Sequence, residues 1–347
     1  MKVCYFGIYN PDYSRNRVLI KGLRENNIEV IECQVNPNER YKYWKLFKKH
    51  QQIENYDFMI VGYPGYTVMV LAKLISRKKI IFDAFLSAYQ SKIFDRKSYS
   101  SKSLHAFKFW LLDWISCKLA DKILLDTKEH IKYFVKTFRI EKEKFKRIFI
   151  GTDNTLFYPR SIEKKDNKFL VVFHGKYIPL QGTEYIVKAA KILENENIFF
   201  YLIGNGQTHQ KAVELAGRLK TRNIKFIDFI PQKKLVKYIA QADVCLGIFG
   251  DTFKARLVIP NKVYEAIAMG KPVITSDTPA ARELLEDKKT CLFSNIADSQ
   301  DLARKILKLK NNTELRKRIA QNSYRLYKEK LTPKILGNEL KNILMEL

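Results

Sequence analysis

The chain has 347 residues, enough for two cores rather than one. Its 46% hydrophobic content is that of an ordinary soluble protein, and no apolar run approaches the roughly 18 residues that a membrane span needs. The 63 basic and 36 acidic residues leave a net charge of +27, which draws polyanions such as nucleic acid, anionic lipid or phosphorylated substrates; a crowd of solvated lysines gives the same number.

The opening MKVCYFGIY reads directly as a strand, without an apolar leader or a small-residue cleavage site, so a cytoplasmic protein is expected. Apolar runs at 3–9, 28–33, 58–63, 79–85, 122–126 and 146–150 predict strands with helix-compatible segments between them. That alternation predicts a parallel sheet covered by helices over residues 1–160. In such a sheet the loops at the C-terminal strand ends line the ligand crevice. Arg15, in the turn after the first strand, is then a candidate phosphate contact or a solvated arginine. Asp83, at the edge of the fourth strand, is a candidate to accept a proton or a sugar hydroxyl, or a turn and capping residue. In 103–120 the residues Phe107, Trp110, Leu111 and Trp114 recur at helical spacing, the pattern of a core stripe. The basic neighbours Lys92, Arg96, Lys97 and Lys102 supply the minority reading, a membrane-facing helix.

Residues 151–168 are polar, carry Pro159 and lack periodicity, and read as a linker. Strand-like runs restart at 169–177, 199–206, 224–229, 243–249, 272–275 and 290–293, predicting a second doubly wound domain over 169–325. A tail, 326–347, is helical by composition except at Pro333 and Gly337, and is expected to pack back on the first domain. The five cysteines have no CxxC spacing and read as buried free thiols. The five histidines show no ligand spacing and no Asp-x-Asp occurs, so no metal and no cofactor is expected.

The most informative stretch is IPNKVYEAIAMGKPVIT, 259–275. Pro260 suits a first helical position and Gly270 stops the helix, which predicts a helix over 260–269. Val263, Ala266 and Ile267 share one face; Asn261, Lys262 and Glu265 share the opposite one. The free N–H groups at its start, with Lys262, suit an anion, and Glu265 one turn on suits a neutral polyol such as a ribose. On spacing alone, an exposed i,i+3 pair of Lys262 and Glu265 is the favoured description.

This stretch, with the PAARELL that follows it, resembles the donor-nucleotide segment of the retaining family 4 glycosyltransferases. The resemblance implies the α/β GT-B fold, two Rossmann-like domains facing a central cleft. Glu265 matches the family Glu that holds the donor ribose, and Leu257 stands where the family has a first Glu that contacts the sugar. FHGKYIPLQGTEYIVKAAKIL, 173–193, resembles the first strand, loop and helix of the nucleotide-binding domain. There Lys176 matches one of two basic residues on the donor diphosphate, Gln181 replaces the other, and Lys262 is the substitute. LIGNG, 202–206, matches a Gly-x-Gly turn, and 229–249 matches the base-binding loop, helix and strand.

The implied reaction moves a sugar with retention from a UDP- or GDP-linked donor, bound by residues 169–325, to a glycan or lipid-linked acceptor on residues 1–160. Asp83, Lys176, Lys262 and Glu265 are then the expected catalytic residues. Arg15, Gly175, Gln181, Gly204, Ile230, Pro260 and Asn261 are the expected donor contacts. An anionic membrane surface is a further candidate partner, and nucleic acid is not expected. Two alternatives stand beside this reading: a nucleotide-sugar epimerase of the same fold, and a polyanion-binding protein without enzymatic activity.

Overall fold

Each of the twelve apolar runs forms a strand in the computed structural model, which describes residues 1–163 and 167–347. The chain divides into two units, one made of Met1–Asp153 with Leu331–Leu347 and the other of Asn154–Lys330. The predicted linker at 151–168 includes residues 164–166, which lie outside the described residues.

Unit 1 carries β1 (Lys2–Ile8), β2 (Glu29–Val35), β3 (Phe58–Val61), β4 (Lys79–Phe85), β5 (Lys122–Leu125) and β6 (Phe145–Arg147). They form one sheet in the order β2-β1-β3-β4-β5-β6, and every neighbouring pair is parallel. Unit 2 carries β7 (Phe169–His174), β8 (Ile198–Ile203), β9 (Ile224–Ile227), β10 (Val244–Leu246), β11 (Val273–Ser276) and β12 (Leu292–Ser294), all parallel in the order β12-β11-β10-β7-β8-β9. Strands this apolar are buried on both faces, as a parallel sheet requires: all six residues of β7 are buried. In unit 2 the chain leaves β7 toward one edge and returns to the other side of it at β10. The C-terminal ends of β7 and β10 therefore flank the point where such folds bind ligands.

The tail is two helices, Thr313–Lys330 and Pro333–Met345, and the second belongs to unit 1. Pro333 and Gly337 do not interrupt it. Pro333 starts the helix, where its missing N–H has no partner to lose. Gly337 meets Gly22 of the helix Ser14–Glu25, and a Cβ on Gly337 would stand 2.0 Å from the Gly22 carbonyl carbon. Asn26 fixes the same contact by donating to the Lys334 carbonyl at 2.7 Å.

The aromatic stripe on the helix Leu104–Leu119 is split. Ala106, Asp113, Ser116 and Cys117 are its buried residues, while Trp110 and Trp114 pack half-buried against the core. Phe107 is 60% exposed and Leu104 is 86% exposed. Among the described residues no helix is long and apolar enough to cross a membrane. All five cysteines are free and buried.

Candidate functional site

The last residue of β7 is His174, and the chain then turns away from the sheet through Gly175 and Lys176. Gly175 has φ +139 and Gly204, after β8, has φ +125, values that side chains other than glycine rarely adopt. A Cβ on Gly204 would stand 2.1 Å from the Gly175 carbonyl oxygen, so the two strand-end loops lie against each other. A 3-10 turn, Pro179–Gln181, follows, and Gln181 is buried.

The helix Asn261–Ala268 is one residue shorter at each end than predicted. Pro260 is extended (ψ 150) and caps the helix rather than beginning it, and no side chain takes up the first N–H groups. Those of residues 261 and 262 have no acceptor within the helix. The exposed-pair description of Lys262 and Glu265 is overturned, because each is only 5% exposed. Every residue from 262 to 268 is buried, so the polar face of the helix is covered as well as the apolar one.

Lys262 Nζ donates to Gln181 Oε1 and sits 3.8 Å from the centre of the Phe173 ring. The absence of a side chain at Gly175 makes room for it, since a Cβ there would stand 3.2 Å from both Cε and Nζ. Burial lowers the Lys262 pKa well below that of an ordinary lysine, with the Glu265 charge pulling the other way. Glu265 Oε2 lies 3.4 Å from His174 Nε2. His174 is pushed down to about 3 by burial and then by Lys262, so it is neutral at physiological pH. A lysine, a carboxylate and a neutral imidazole thus converge at the C-terminal end of β7, each less than a tenth exposed.

Of the expected residues, the structure brings together Gly175, Gln181, Lys262 and Glu265, with Gly204 reaching them through Gly175. Lys176 is exposed beside them, and Pro260 and Asn261 lie half-buried at the helix start. Ile230 is half-buried in the loop after β9, along the same edge of the sheet. Leu257, where the family has its first Glu, is buried. Phe173 and His174 were not among the expected site residues. The signal for His174 was one polar residue closing a strand of five apolar ones, directly before the glycine turn.

Arg15 and Asp83 require correction. Both are 0% exposed and they bind each other inside unit 1. Arg15 donates from Nε to Asp83 Oδ2 at 3.0 Å and from Nη2 to Oδ1 at 2.9 Å. Its Nη1 donates to the carbonyls of Ile148 and Phe149 at 2.8 and 3.0 Å. A guanidinium so fully engaged has no face left for a phosphate, and the carboxylate it holds is closed to an acceptor hydroxyl. The pair ties β4 to the chain after β6. Among the described residues no group of three or more His, Cys, Asp or Glu side chains could hold a metal.

Comparison with known proteins gives this geometry a family. The family described as Glycosyl transferases group 1 matches residues 154–326, about half of the chain and nearly all of unit 2. The chain belongs to that family and is a glycosyltransferase of the GT-B fold. It is 24% identical to the uncharacterized glycosyltransferase MJ1069 of Methanocaldococcus jannaschii, over 94% of this chain and 86% of that one. It is 22% identical to the capsular polysaccharide biosynthesis glycosyltransferase CapM of Staphylococcus aureus, over 75% and 71%. Among solved structures, the Anabaena protein Alr3699/HepE in complex with UDP-glucose superposes with a TM-score of 0.74 at 18% identity, covering 100% of both chains. Sucrose-phosphate synthase from Thermosynechococcus elongatus superposes at 0.79 with 14% identity, over 100% and 98%.

Proposed function

We propose that this glycosyltransferase moves a hexosyl group, with retention of configuration, from a UDP-linked donor held by unit 2 to a glycan or lipid-linked acceptor held by unit 1. The observation that carries the reading is the buried meeting of Lys262, Gln181 and Glu265 between the end of β7 and the start of the helix Asn261–Ala268. UDP is favoured over GDP because the Anabaena protein, superposable over its whole length, has been solved with UDP and with UDP-glucose.

In the reaction the bond from the sugar to the diphosphate breaks, the acceptor hydroxyl oxygen bonds to the same face of the sugar and passes its proton to an oxygen of the departing diphosphate, and negative charge builds on that diphosphate as the bond opens. Lys262, Lys176 and the open N–H groups after Pro260 stabilise that charge, most effectively where water is excluded. Glu265, an acceptor of hydrogen bonds only, holds ribose hydroxyls. Asp83 takes no part, since it is closed inside unit 1.

Thermal denaturation of the pure protein against a panel of nucleotides and nucleotide sugars tests the reading, because a ligand that binds the native state raises its melting temperature. UDP and a UDP-hexose should raise it by several degrees, and ADP should not. Indifference to the whole panel, with melting that responds to polyanions instead, would return the chain to the polyanion-binding alternative.

A second reading concerns the acceptor's setting. The exposed Leu104 and Phe107 stand among the exposed Lys97, Lys102 and Lys108. Apolar side chains with basic neighbours favour peripheral adsorption of unit 1 to an anionic membrane surface.

A further inference from the structure

We propose that His174 is a ligand-contacting residue, its Nε2 sharing with the Glu265 carboxylate the recognition of a ribose hydroxyl of the donor. The inference rests on the donor reading given above and adds to it a residue that decides which sugar the nucleotide carries.

His174 Nε2 is buried and has no hydrogen-bond partner. It lies 3.4 Å from Glu265 Oε2, but the approach is too poorly aligned to be a hydrogen bond. A buried polar atom left unsatisfied costs the fold stability, and such atoms are few in native proteins. His174 is 7% exposed and ends a strand whose other residues are apolar, so the packing of the strand itself does not select a polar side chain there. Its neutrality narrows the role. Beside a buried ammonium the ring does not take up a proton, so Nε2 offers one N–H or one lone pair and no charge.

The neighbouring carboxylate can only accept, and the ligand must therefore bring an O–H or N–H to it. A hydroxyl satisfies both groups with one atom: its proton goes to Glu265 and its lone pair receives the His174 N–H. A phosphate oxygen can accept the His174 N–H but has no proton for Glu265, whose charge repels it. Lys262 lies close by, 3.8 Å from the ring of Phe173, the residue before His174. A ligand with an anion on one side and a hydroxyl on the other matches this order, and a nucleoside diphosphate has its ribose hydroxyls in that relation.

Isothermal titration of wild type, His174→Phe and His174→Asn with UDP, 2′-deoxy-UDP and 3′-deoxy-UDP tests the assignment. Wild type should bind UDP roughly tenfold or more tightly than at least one deoxy analogue, because a site built around a hydroxyl rejects the ligand that lacks it. His174→Phe should bind UDP no better than wild type binds that analogue, with affinity for the analogue itself unchanged. His174→Asn, which keeps a donor, should recover part of the preference and guards against a Phe variant that fails to fold. Wild-type discrimination retained in a folded His174→Phe, or equal binding of all three nucleotides by wild type, overturns the role of His174 and leaves the donor reading intact. Absence of UDP binding by wild type overturns both.

Discussion

At the scale of single residues, the site holds opposite charges where neither has water. Lys262 and Glu265 are each 5% exposed, and each lessens the cost of burying the other. Removing one leaves the other uncompensated, so Lys262→Met and Glu265→Gln should each lose about 1 to 3 kcal/mol of stability in urea denaturation. The double variant should regain most of that loss while binding no UDP. Additive losses in the double variant would show that the two charges are not coupled. The lysine alone sets a sign with pH: its pKa is lowered in the fold, so the unfolded chain binds its proton more tightly. The penalty is full below the folded pKa and is relieved as pH rises toward the unfolded value of roughly 10.4. Arg15 and Asp83, 68 residues apart in the chain, were not legible as a pair, since two strand-edge charges read separately look like two site residues.

At the scale of elements, the contact between the helices Ser14–Glu25 and Pro333–Met345 depends on having no side chain at its centre. A Cβ on Gly22 would stand 2.1 Å from the Pro333 carbonyl oxygen, and backbone at that distance has no rotamer to escape into. Gly337→Val should therefore separate the helices and destabilise unit 1 by about 2 kcal/mol or more, whereas Gly217→Val, with open space around it and a helix propensity no worse than that of glycine, should be close to neutral. Amide hydrogen exchange localises the effect, with faster exchange across 14–25 and 333–345 and unchanged protection in β7 to β12. Equal exchange in both variants would discard the contact as a determinant. Twelve strands were readable because parallel strands buried on both faces leave continuous apolar runs. The glycine contact was not, because composition treats a glycine in a helix as a defect and cannot see the neighbour that needs the space. The pair 262 and 265 was legible as a motif, but its burial depended on neighbours that helical periodicity alone does not supply.

At the scale of the whole molecule, 63 basic and 36 acidic residues make the surface a polycation, and unit 1 adds exposed apolar side chains to it. Each lysine or arginine near an anionic bilayer contributes roughly 1 kcal/mol, falling off within a Debye length. Co-sedimentation should show binding to vesicles rich in anionic lipid at low salt and release as salt rises. Leu104→Ser with Phe107→Ser should weaken what remains at physiological salt. Equal binding to neutral vesicles, or none even at low salt, would remove the membrane from the account.

Unit 1 is built from the first 153 residues and from 331–347, with the whole of unit 2 made between them. A ribosome delivers these pieces in that order, so the sheet β1 to β6 emerges early while the Gly22 face of its first helix has nothing to lie against. It waits for the synthesis of 154–330, on the order of ten seconds or more at usual elongation rates. Unit 2, whose residues are continuous, has no such wait. The helix Pro333–Met345 is therefore the closing step for the part of the molecule begun first, and a pause late in translation falls on unit 1 and spares unit 2.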